Sequence, residues 1–272
     1  MGKKRLDVLL VERDLIETRE KAKRHIMAGL VFSNELRLDK PGMKVDETIP
    51  LTVKGKAIPY VGRGGLKLEK ALKTFSIDVT DKIMIDIGSS TGGFTDCALQ
   101  NGAKLSYAID VGYNQLDWKL RSDPRVIVME RTNFRYVTKD MLTQGVPDFA
   151  SIDVSFISLR LILPVLRKLL AEDSNVVALV KPQFEAGKQQ VGRKGIVRDQ
   201  AVHLQVLQHI TSFAKEEGFQ LLDLTFSPIT GGDGNIEFLL HLGWKKAVVG
   251  NMLTDSDVNR VVDEAHETLK KK

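Results

Sequence analysis

The chain has 272 residues, of which 43% are hydrophobic and 28% are charged, with a formal net charge of +5. This composition is typical of an ordinary soluble protein, and the length allows one large domain or two unequal ones. No run approaches the ~18 apolar residues that a membrane span needs, and no secretory signal is recognisable. The single cysteine, Cys97, excludes an internal disulfide and fits the reducing cytoplasm, where we expect the protein.

The N-terminal part predicts a small α+β unit. Residues 5–15 and 18–29 have the pattern of two short helices, with Thr18 as the N-cap and Gly29 as the stop. Short β-like pieces follow. Residues 1–60 carry 13 Lys and Arg against 9 Asp and Glu, so almost the whole positive excess lies here. This asymmetry favours a module that binds a polyanion, and the alternative is a solubilising charged surface.

From residue 63 the pattern changes to helices that alternate with apolar strands, which predicts a parallel sheet. A helix is predicted at 64–75, and another at 255–272. The last two strands are separated only by PITGGDGN, which is too short for a parallel crossover, so the final strand should run antiparallel. We therefore predict an α/β fold: a seven-stranded doubly wound (Rossmann-like) sheet with an antiparallel last strand. The seven strands are predicted within 82–88, 105–112, 126–132, 149–155, 176–182, 221–229 and 236–244.

The first strand of this sheet leads into a glycine-rich turn, IDIGSSTGGFTD at 85–96. Its spacing is not the dinucleotide fingerprint, and it has no P-loop lysine. An acid inside the strand suits a cationic ligand such as S-adenosylmethionine, which has no phosphate, and an acid at the next strand end can hold ribose hydroxyls. The alternative is a fold without a nucleotide, in which these residues form turns and helix caps. The candidate cofactor-binding residues are Asp86, Gly88, Ser89, Gly92, Gly93, Asp110 and Asn133.

Four charged residues are expected at the carboxyl edge of the sheet, where open α/β sheets bind ligands. Asp153 ends the fourth strand, Lys181 ends the fifth, and Glu237 opens the antiparallel last strand at the same edge. Lys67 lies on the helix that enters the domain. Each alone is readily explained as a solvated or capping residue, but Lys181 ends a wholly apolar strand. Two lysines and two carboxylates can activate an alcohol, because a partly buried lysine beside another cation becomes a better base.

These motifs resemble a known family. The four charged residues look like the Lys-Asp-Lys-Glu tetrad of the FtsJ-like (RrmJ-type) ribose 2′-O-methyltransferases. GRGGLKLEKAL is similar to that family's first-lysine helix, and FSPITGGDGNIEFLLHL to its glutamate segment. The unit RLDVLLVERDLIETREKAKRHIMAGLVFSN resembles the RNA-binding domain named after ribosomal protein S-four. This order of domains resembles that of the TlyA (hemolysin A) family.

The resemblance implies an RNA-binding domain at 1–58, a linker at 59–65 and a methyltransferase domain at 66–272. It implies S-adenosylmethionine-dependent methylation of cytidine 2′-hydroxyls in ribosomal RNA, on the large subunit and in larger members on both. Our mechanistic hypothesis makes Lys181 the base, assisted by Lys67, while Asp153 and Glu237 hold the lysines and the hydroxyl. We expect ribosomal RNA or ribosomal subunits as partners, and neither a metal nor a membrane.

The RNA contacts are expected on both domains. The segment 185–199, called the lid segment below, is predicted to be a mobile cover that meets RNA phosphates, and the alternative is a solvated loop. Other functions also remain open: a ribosome-binding factor without catalysis, a membrane-active hemolysin, or a methyltransferase acting on a small molecule or a protein. The candidate RNA-binding residues are Arg19, Lys21, Lys23, Arg24, Arg63, Lys188, Arg193 and Lys194.

Overall fold

The computed structural model describes residues 2–55, 58–231, 234–247 and 252–269. The chain is divided into two compact units, Met1–Gly65 and Leu66–Lys272. The limits of the RNA-binding domain, the linker and the methyltransferase domain that the sequence predicts remain predictions. In the described part of the chain, no helix is both long enough and apolar enough to cross a membrane.

The N-terminal unit packs two helices against short antiparallel strands. Thr18 caps the second helix as predicted, since its Oγ1 accepts a hydrogen bond from the Lys21 N–H at 3.2 Å. The chain leaves this helix through Gly29, which has a φ of +70°. β1 pairs with β4, while β2 lies between β3 and β5. The elements are β1 (Lys3–Arg5), α1 (Leu6–Glu12), α2 (Arg19–Met27), β2 (Val31–Ser33), β3 (Leu36–Arg37), β4 (Lys44–Asp46) and β5 (Thr52–Val53).

The second unit contains all seven predicted strands. Its short helical turns apart, the elements are α3 (Gly64–Thr74), β6 (Ile83–Ile87), α4 (Gly93–Gln100), β7 (Leu105–Ile109), α5 (Trp118–Arg121), β8 (Val126–Met129), β9 (Phe149–Ile152), α6 (Leu163–Leu169), β10 (Ser174–Val180), α7 (Pro182–Glu185), α8 (Gln200–Glu216), β11 (Gln220–Phe226), β12 (Phe238–Trp244) and α9 (Asp255–Leu269). The last three residues of the predicted C-terminal helix lie outside the described residues.

The strands form one sheet in the order β11-β12-β10-β9-β6-β7-β8. Neighbouring strands from β10 to β8 run parallel, whereas β12 is antiparallel to both β10 and β11. The predicted fold class and the antiparallel last strand are therefore confirmed. β12 begins at the edge where the parallel strands end, because Val180 and Phe238 are register partners.

The sheet core explains the unbroken apolar strands of the sequence. β9 and β10 lie in the middle of the sheet. Val176, Ala178 and Val180 belong to the apolar cluster on one face of the sheet, and the alternate residues Val177 and Leu179 are buried as well. Val176, Val177 and Val180 are each 0% exposed. A strand buried on both faces does not alternate between apolar and polar residues, so its polar groups are found at its ends.

Gly88 brings the first turn of the sheet against the loop after β9. Its φ is +84°, and a Cβ on it would lie 2.5 Å from the carbonyl oxygen of Asp153. The Asp153 N–H also donates to the Ile87 carbonyl at 2.9 Å. Glycine is required here for both conformation and space, and the contact sets the distance between the two loops.

We predict that Gly88→Ala destabilises the protein by about 1–3 kcal/mol more than Gly218→Ala. Gly218 is a matched control, because its φ is +87° but its added Cβ would meet Trp244 only at 3.5 Å, an ordinary contact. The control therefore carries the conformational cost of about 1 kcal/mol without the backbone clash. Urea unfolding of the two variants measures the difference, and equal losses would contradict the close approach.

Candidate active site

The four charged residues predicted to converge form one connected network. Lys67 Nζ donates to Glu237 Oε2 at 2.7 Å and lies 3.5 Å from Asp153 Oδ2. Lys181 Nζ lies 2.5 Å from Asp153 Oδ1 and donates to Ser155 Oγ at 3.1 Å. Asp153 therefore bridges the two lysines, and Glu237 holds Lys67 from the other side. The structure brings all four together from α3, the β9 and β10 ends and the start of β12.

The network is largely removed from solvent, with side-chain exposures of 10% for Lys67, 3% for Glu237, 18% for Asp153 and 9% for Lys181. Burial lowers the pKa of Lys67, but the attraction of Asp153 and Glu237 outweighs burial and raises it above its ordinary value. Burial raises the pKa of Asp153, but Lys67 and Lys181 outweigh it and hold that pKa below its usual range. Lys67 thus keeps its proton and Asp153 stays ionised.

A cavity of about 440 Å³ opens beside this network, in the size range of sites for small molecules. Asp153 and Ser155, the two residues that Lys181 contacts, both line this cavity. The apolar part of the wall consists of Ile87, Ile109, Val111, Phe134, Val154, Phe156, Ile157 and Ile162. The remaining lining residues are Gly88, Ser90, Asp110, Gln115, Thr132 and Asn133.

The cavity wall fits S-adenosylmethionine in its chemistry. Among the residues that the structure describes, the lining includes two acids and no lysine or arginine, which suits a cationic ligand and not a pyrophosphate. Asp110 accepts the backbone N–H groups of Ser90 at 2.8 Å and Gly112 at 2.7 Å, and a carboxylate has lone pairs left for ribose hydroxyls. Asn133 uses Oδ1 to cap the turn at Arg135, and its amide nitrogen can donate to an adenine.

Comparisons with known proteins agree with this geometry. The pattern of the FtsJ-like methyltransferase family matches residues 60–244, and that of the S4 domain matches residues 4–48. The chain belongs to the FtsJ-like methyltransferase family. It is therefore an enzyme whose methyl donor is S-adenosylmethionine, and the predicted family and cofactor are confirmed.

Individual relatives resemble the chain over nearly its whole length. The chain is 69% identical over 271 residues to YqxC of Bacillus subtilis (strain 168), covering 99% of this chain and 96% of that protein. It is 41% identical over 263 residues to the 16S/23S rRNA (cytidine-2'-O)-methyltransferase TlyA of Mycobacterium tuberculosis (strain ATCC 25618 / H37Rv), covering 96% and 97%. The solved structure of a protein from Streptococcus thermophilus that is named as a hemolysin is 56% identical in sequence, with a TM-score of 0.79. The match covers 100% of this chain and 98% of that chain.

Four of the residues predicted to bind the cofactor do not belong to the lining set of this FtsJ-like cavity. Asp86 is a register partner of Ser151 inside the sheet, so its carboxylate lies over a sheet face and not at the edge. It accepts hydrogen bonds from Ser151 Oγ and Thr95 Oγ1, each at 2.7 Å, and is 0% exposed. Asp86 is not among the residues that line the cavity, and its part in cofactor binding stays a prediction. The other three are Ser89, Gly92 and Gly93.

Packing explains one of these glycines. Gly92 precedes α4 with a φ of +92°, and a Cβ on it would lie 2.2 Å from Leu120 Cδ1. The positive φ favours glycine here, and the close contact with Leu120 of α5 gives this glycine a packing role, while its part in cofactor binding stays a prediction. Of the predicted set, Gly88, Asp110 and Asn133 lie on the cavity wall.

Phe156 is a site residue that the sequence reasoning missed. It lines the cavity, is 90% exposed and has a φ of +61°, a strained conformation for a bulky side chain. Its ring lies 4.9 Å from that of Phe184, the third residue after Lys181. An exposed aromatic ring on a strained backbone, beside the network, points to a contact with a ligand. In the sequence, this role is indicated only by the position of an aromatic residue soon after Asp153, at the end of its strand.

The predicted RNA-binding residues of the N-terminal unit are near its surface. Arg24 is half-buried, and Arg63 is exposed. Lys21 pairs with Glu17 and Lys23 with Glu20 at the surface, so these ion pairs contribute little to stability and can exchange for phosphate contacts. Arg19 instead pairs at 3.1 Å with Asp7, whose side chain is 0% exposed and is also held by Arg5.

The lid segment is held at both ends. Glu185 accepts hydrogen bonds from Ser158 Oγ at 2.5 Å and from the Leu159 N–H at 2.7 Å. At the other end, Asn235 Oδ1 accepts from the Val197 N–H and its Nδ2 donates to the Gly195 carbonyl, both at 3.0 Å. The middle of the segment is largely exposed and contains the predicted RNA-binding residues Lys188, Arg193 and Lys194, and its last two residues, Arg198 and Asp199, are exposed as well.

We predict that Asp86 makes folding depend on pH. Burial raises the pKa of Asp86 to about 6, despite opposing hydrogen bonds from Ser151 and Thr95. The folded state favours the protonated carboxyl of Asp86. The resulting stabilisation of the folded state is complete below the unfolded pKa of about 4 and is lost as the pH rises through 6.

The measurement compares the free energy of unfolding of the wild type and Asp86→Asn in urea between pH 4.5 and 7.5. The wild type should lose about 2 kcal/mol relative to the variant over this range, because a shift of one pKa unit corresponds to about 1.4 kcal/mol and part of the effect falls below pH 4.5. The asparagine remains neutral and can keep the hydrogen bonds, so it isolates the titration. Parallel curves would show that Asp86 titrates normally.

Proposed function

We propose that this protein transfers a methyl group from S-adenosylmethionine to the 2′-hydroxyl of cytidine in ribosomal RNA. The observation that carries the proposal is the buried network of two lysines and two carboxylates beside a cavity whose described lining contains no basic residue. The S4 match at 4–48 and the activity after which the Mycobacterium tuberculosis relative is named support RNA as the substrate. The proposal includes the ribosomal subunit as the particle that the enzyme methylates.

Lys181 is the base in this proposal because of its place in the network. Lys67 is shared by two carboxylates, and its raised pKa keeps it protonated. Among the described residues, Lys181 pairs with one carboxylate, that of Asp153, and contacts the hydroxyl of Ser155, which lines the cavity. When Lys181 Nζ accepts the proton of the ribose hydroxyl, Asp153 stabilises the ammonium that forms.

The remaining residues position the reactants. When bound, S-adenosylmethionine supplies an electrophilic methyl group on a sulfonium centre. Asp110, Asn133 and the backbone at Gly88 would hold it at the strand ends of the sheet. Glu237 orients Lys67, and Phe156 offers a ring against which the base of the target nucleotide can stack. Placing the hydroxyl in line with the methyl group accounts for much of the acceleration.

The function is tested with labelled S-adenosylmethionine and separate large and small ribosomal subunits that lack the modification. Label should enter RNA, map to one cytidine per modified subunit, and resist alkali at that nucleotide because its 2′-oxygen is methylated. Label in a protein or on a base would contradict the proposal.

We predict that Lys181→Met lowers kcat by about 10²–10⁴-fold, the usual contribution of a general base. Methionine preserves the length of the side chain, and Asp153 keeps Lys67 as a partner. Affinity for S-adenosylmethionine, measured by calorimetry, should be unchanged. Lys168→Ala is a control, because Lys168 is exposed on the last turn of α6, away from the network. Full turnover by Lys181→Met would exclude the base assignment.

We predict that Phe156→Ala raises KM for the RNA about tenfold, because stacking on one aromatic ring contributes about 1–3 kcal/mol. Phe156→Tyr keeps the ring and should retain the wild-type KM. The alanine variant should unfold at the wild-type urea concentration, since the ring is 90% exposed. Equal KM values for alanine and tyrosine variants would contradict a stacking role.

A further inference from the structure

The exposed aromatic residues of the protein are concentrated on one edge. Four Phe, Tyr and Trp side chains stand out as exposed in the described residues, and all four follow strands at the carboxyl edge of the sheet. Isolated exposed apolar residues are ordinary, but a set of rings on one edge marks a binding surface. Besides Phe156 they are Tyr113, Trp118 and Tyr136, which are 63%, 76% and 72% exposed.

Two arginines lie over these rings. The guanidinium carbon of Arg131 is 4.0 Å from the centre of the Tyr113 ring, and that of Arg135 is 5.5 Å from the centre of the Tyr136 ring. Within the parts of the chain that the structure describes, neither guanidinium forms an ion pair with a carboxylate. Their charge is therefore available to a partner.

The surface is held in place by the strands beneath it. The Arg131 N–H donates to the Gly112 carbonyl at 2.9 Å, which joins the loops after β7 and β8. Glu130 accepts from the Gln115 N–H at 3.0 Å and from Arg121 Nη2 at 2.7 Å. The hydrogen bond from Arg121 lowers the pKa of Glu130 to about 2, so this acid is ionised and paired. A surface fixed in this way loses little entropy on binding.

We propose that Tyr113, Trp118, Tyr136, Arg131 and Arg135 form a stacking surface for unpaired nucleotides of the RNA that flank the methylated one. The inference rests on the proposed function, because it names a second contact surface for the same substrate. The set of these five residues is called the edge surface below.

Unpaired RNA fits the edge surface better than a protein or a duplex. Aromatic rings and guanidinium planes both stack on nucleobases, and the guanidinium charge also meets phosphates. A protein partner would have to bury two arginines that lack a carboxylate here, at a cost in desolvation. Duplex RNA keeps its bases stacked inside and does not present them to rings.

The edge surface lies next to the cofactor cavity. The neighbouring residues Val111, Gln115 and Thr132 line the cavity. RNA held on the edge surface can therefore continue towards Lys181 without leaving the carboxyl edge of the sheet.

The first experiment measures methylation kinetics with subunit RNA. Tyr113→Ala/Tyr136→Ala should raise KM for the RNA about tenfold or more, with kcat and affinity for S-adenosylmethionine retained. The matched variant Tyr113→Phe/Tyr136→Phe keeps both rings and should retain the wild-type KM. Arg131→Lys keeps the charge but loses the planar group, so it should raise KM more than Lys168→Ala. An unchanged KM in the alanine variant would overturn the edge surface.

The second experiment uses the fluorescence of Trp118. A single-stranded oligoribonucleotide should quench it, and a duplex with the same number of phosphates should quench it much less. Trp118→Phe should remove the quenching, because the other tryptophan, Trp244, is partly buried and packs on Phe219 at 5.1 Å. Equal quenching by strand and duplex, or none, would overturn the inference.

The two proposals fail in different ways. If the wild type does not methylate ribosomal RNA but the single strand quenches Trp118, the proposed function fails, and only the binding of unpaired RNA by the edge surface stands. If the wild type methylates the RNA but the alanine variant keeps its KM, the edge surface fails and the function stands. A protein partner on this surface would leave KM for protein-free RNA unchanged and would count against the inference.

Discussion

The buried pairing of Lys67 with Asp153 and Glu237 is the interaction on which the site depends. Neither lysine nor carboxylate would remain charged at this depth alone, because removing a charge from water costs several kcal/mol. Together they compensate one another, with Nζ to carboxylate distances of 2.5–3.5 Å. Losing either carboxylate would leave a lysine incompletely paired, so the four residues act as a unit and not as separate groups.

The fold supplies this pairing through strand register. Val180 of β10 lies opposite Phe238 of β12, so the residues just beyond them, Lys181 and Glu237, meet at the same edge. An antiparallel β12 is what places the beginning of a strand among the ends of others. Gly88 then fixes the loop of Asp153 against the first turn of the sheet, and the cavity opens between them.

Charge is divided between the cavity and its surroundings. Among the described residues, the cavity wall contains acids and no basic residue, which suits a cationic methyl donor. Basic residues lie instead on the exposed middle of the lid segment and on the loops after β8. This separation lets one edge of the sheet bind a cation in its interior and a polyanion at its surface, because each ligand meets charge of the opposite sign.

The sequence by itself determined the seven strands, the antiparallel last strand and the four charged residues of the network. Each follows from a local rule: apolar runs define buried strands, a short connection forces an antiparallel return, and strand ends meet at one edge. Tertiary structure alone decided which way side chains point and which rings stay exposed. Asp86 lies one residue inside its strand and turns over the sheet face towards Ser151, while the rings of Phe156, Tyr113 and Trp118 stay in solvent. Orientation and exposure depend on neighbours distant in sequence, and no local pattern contains them.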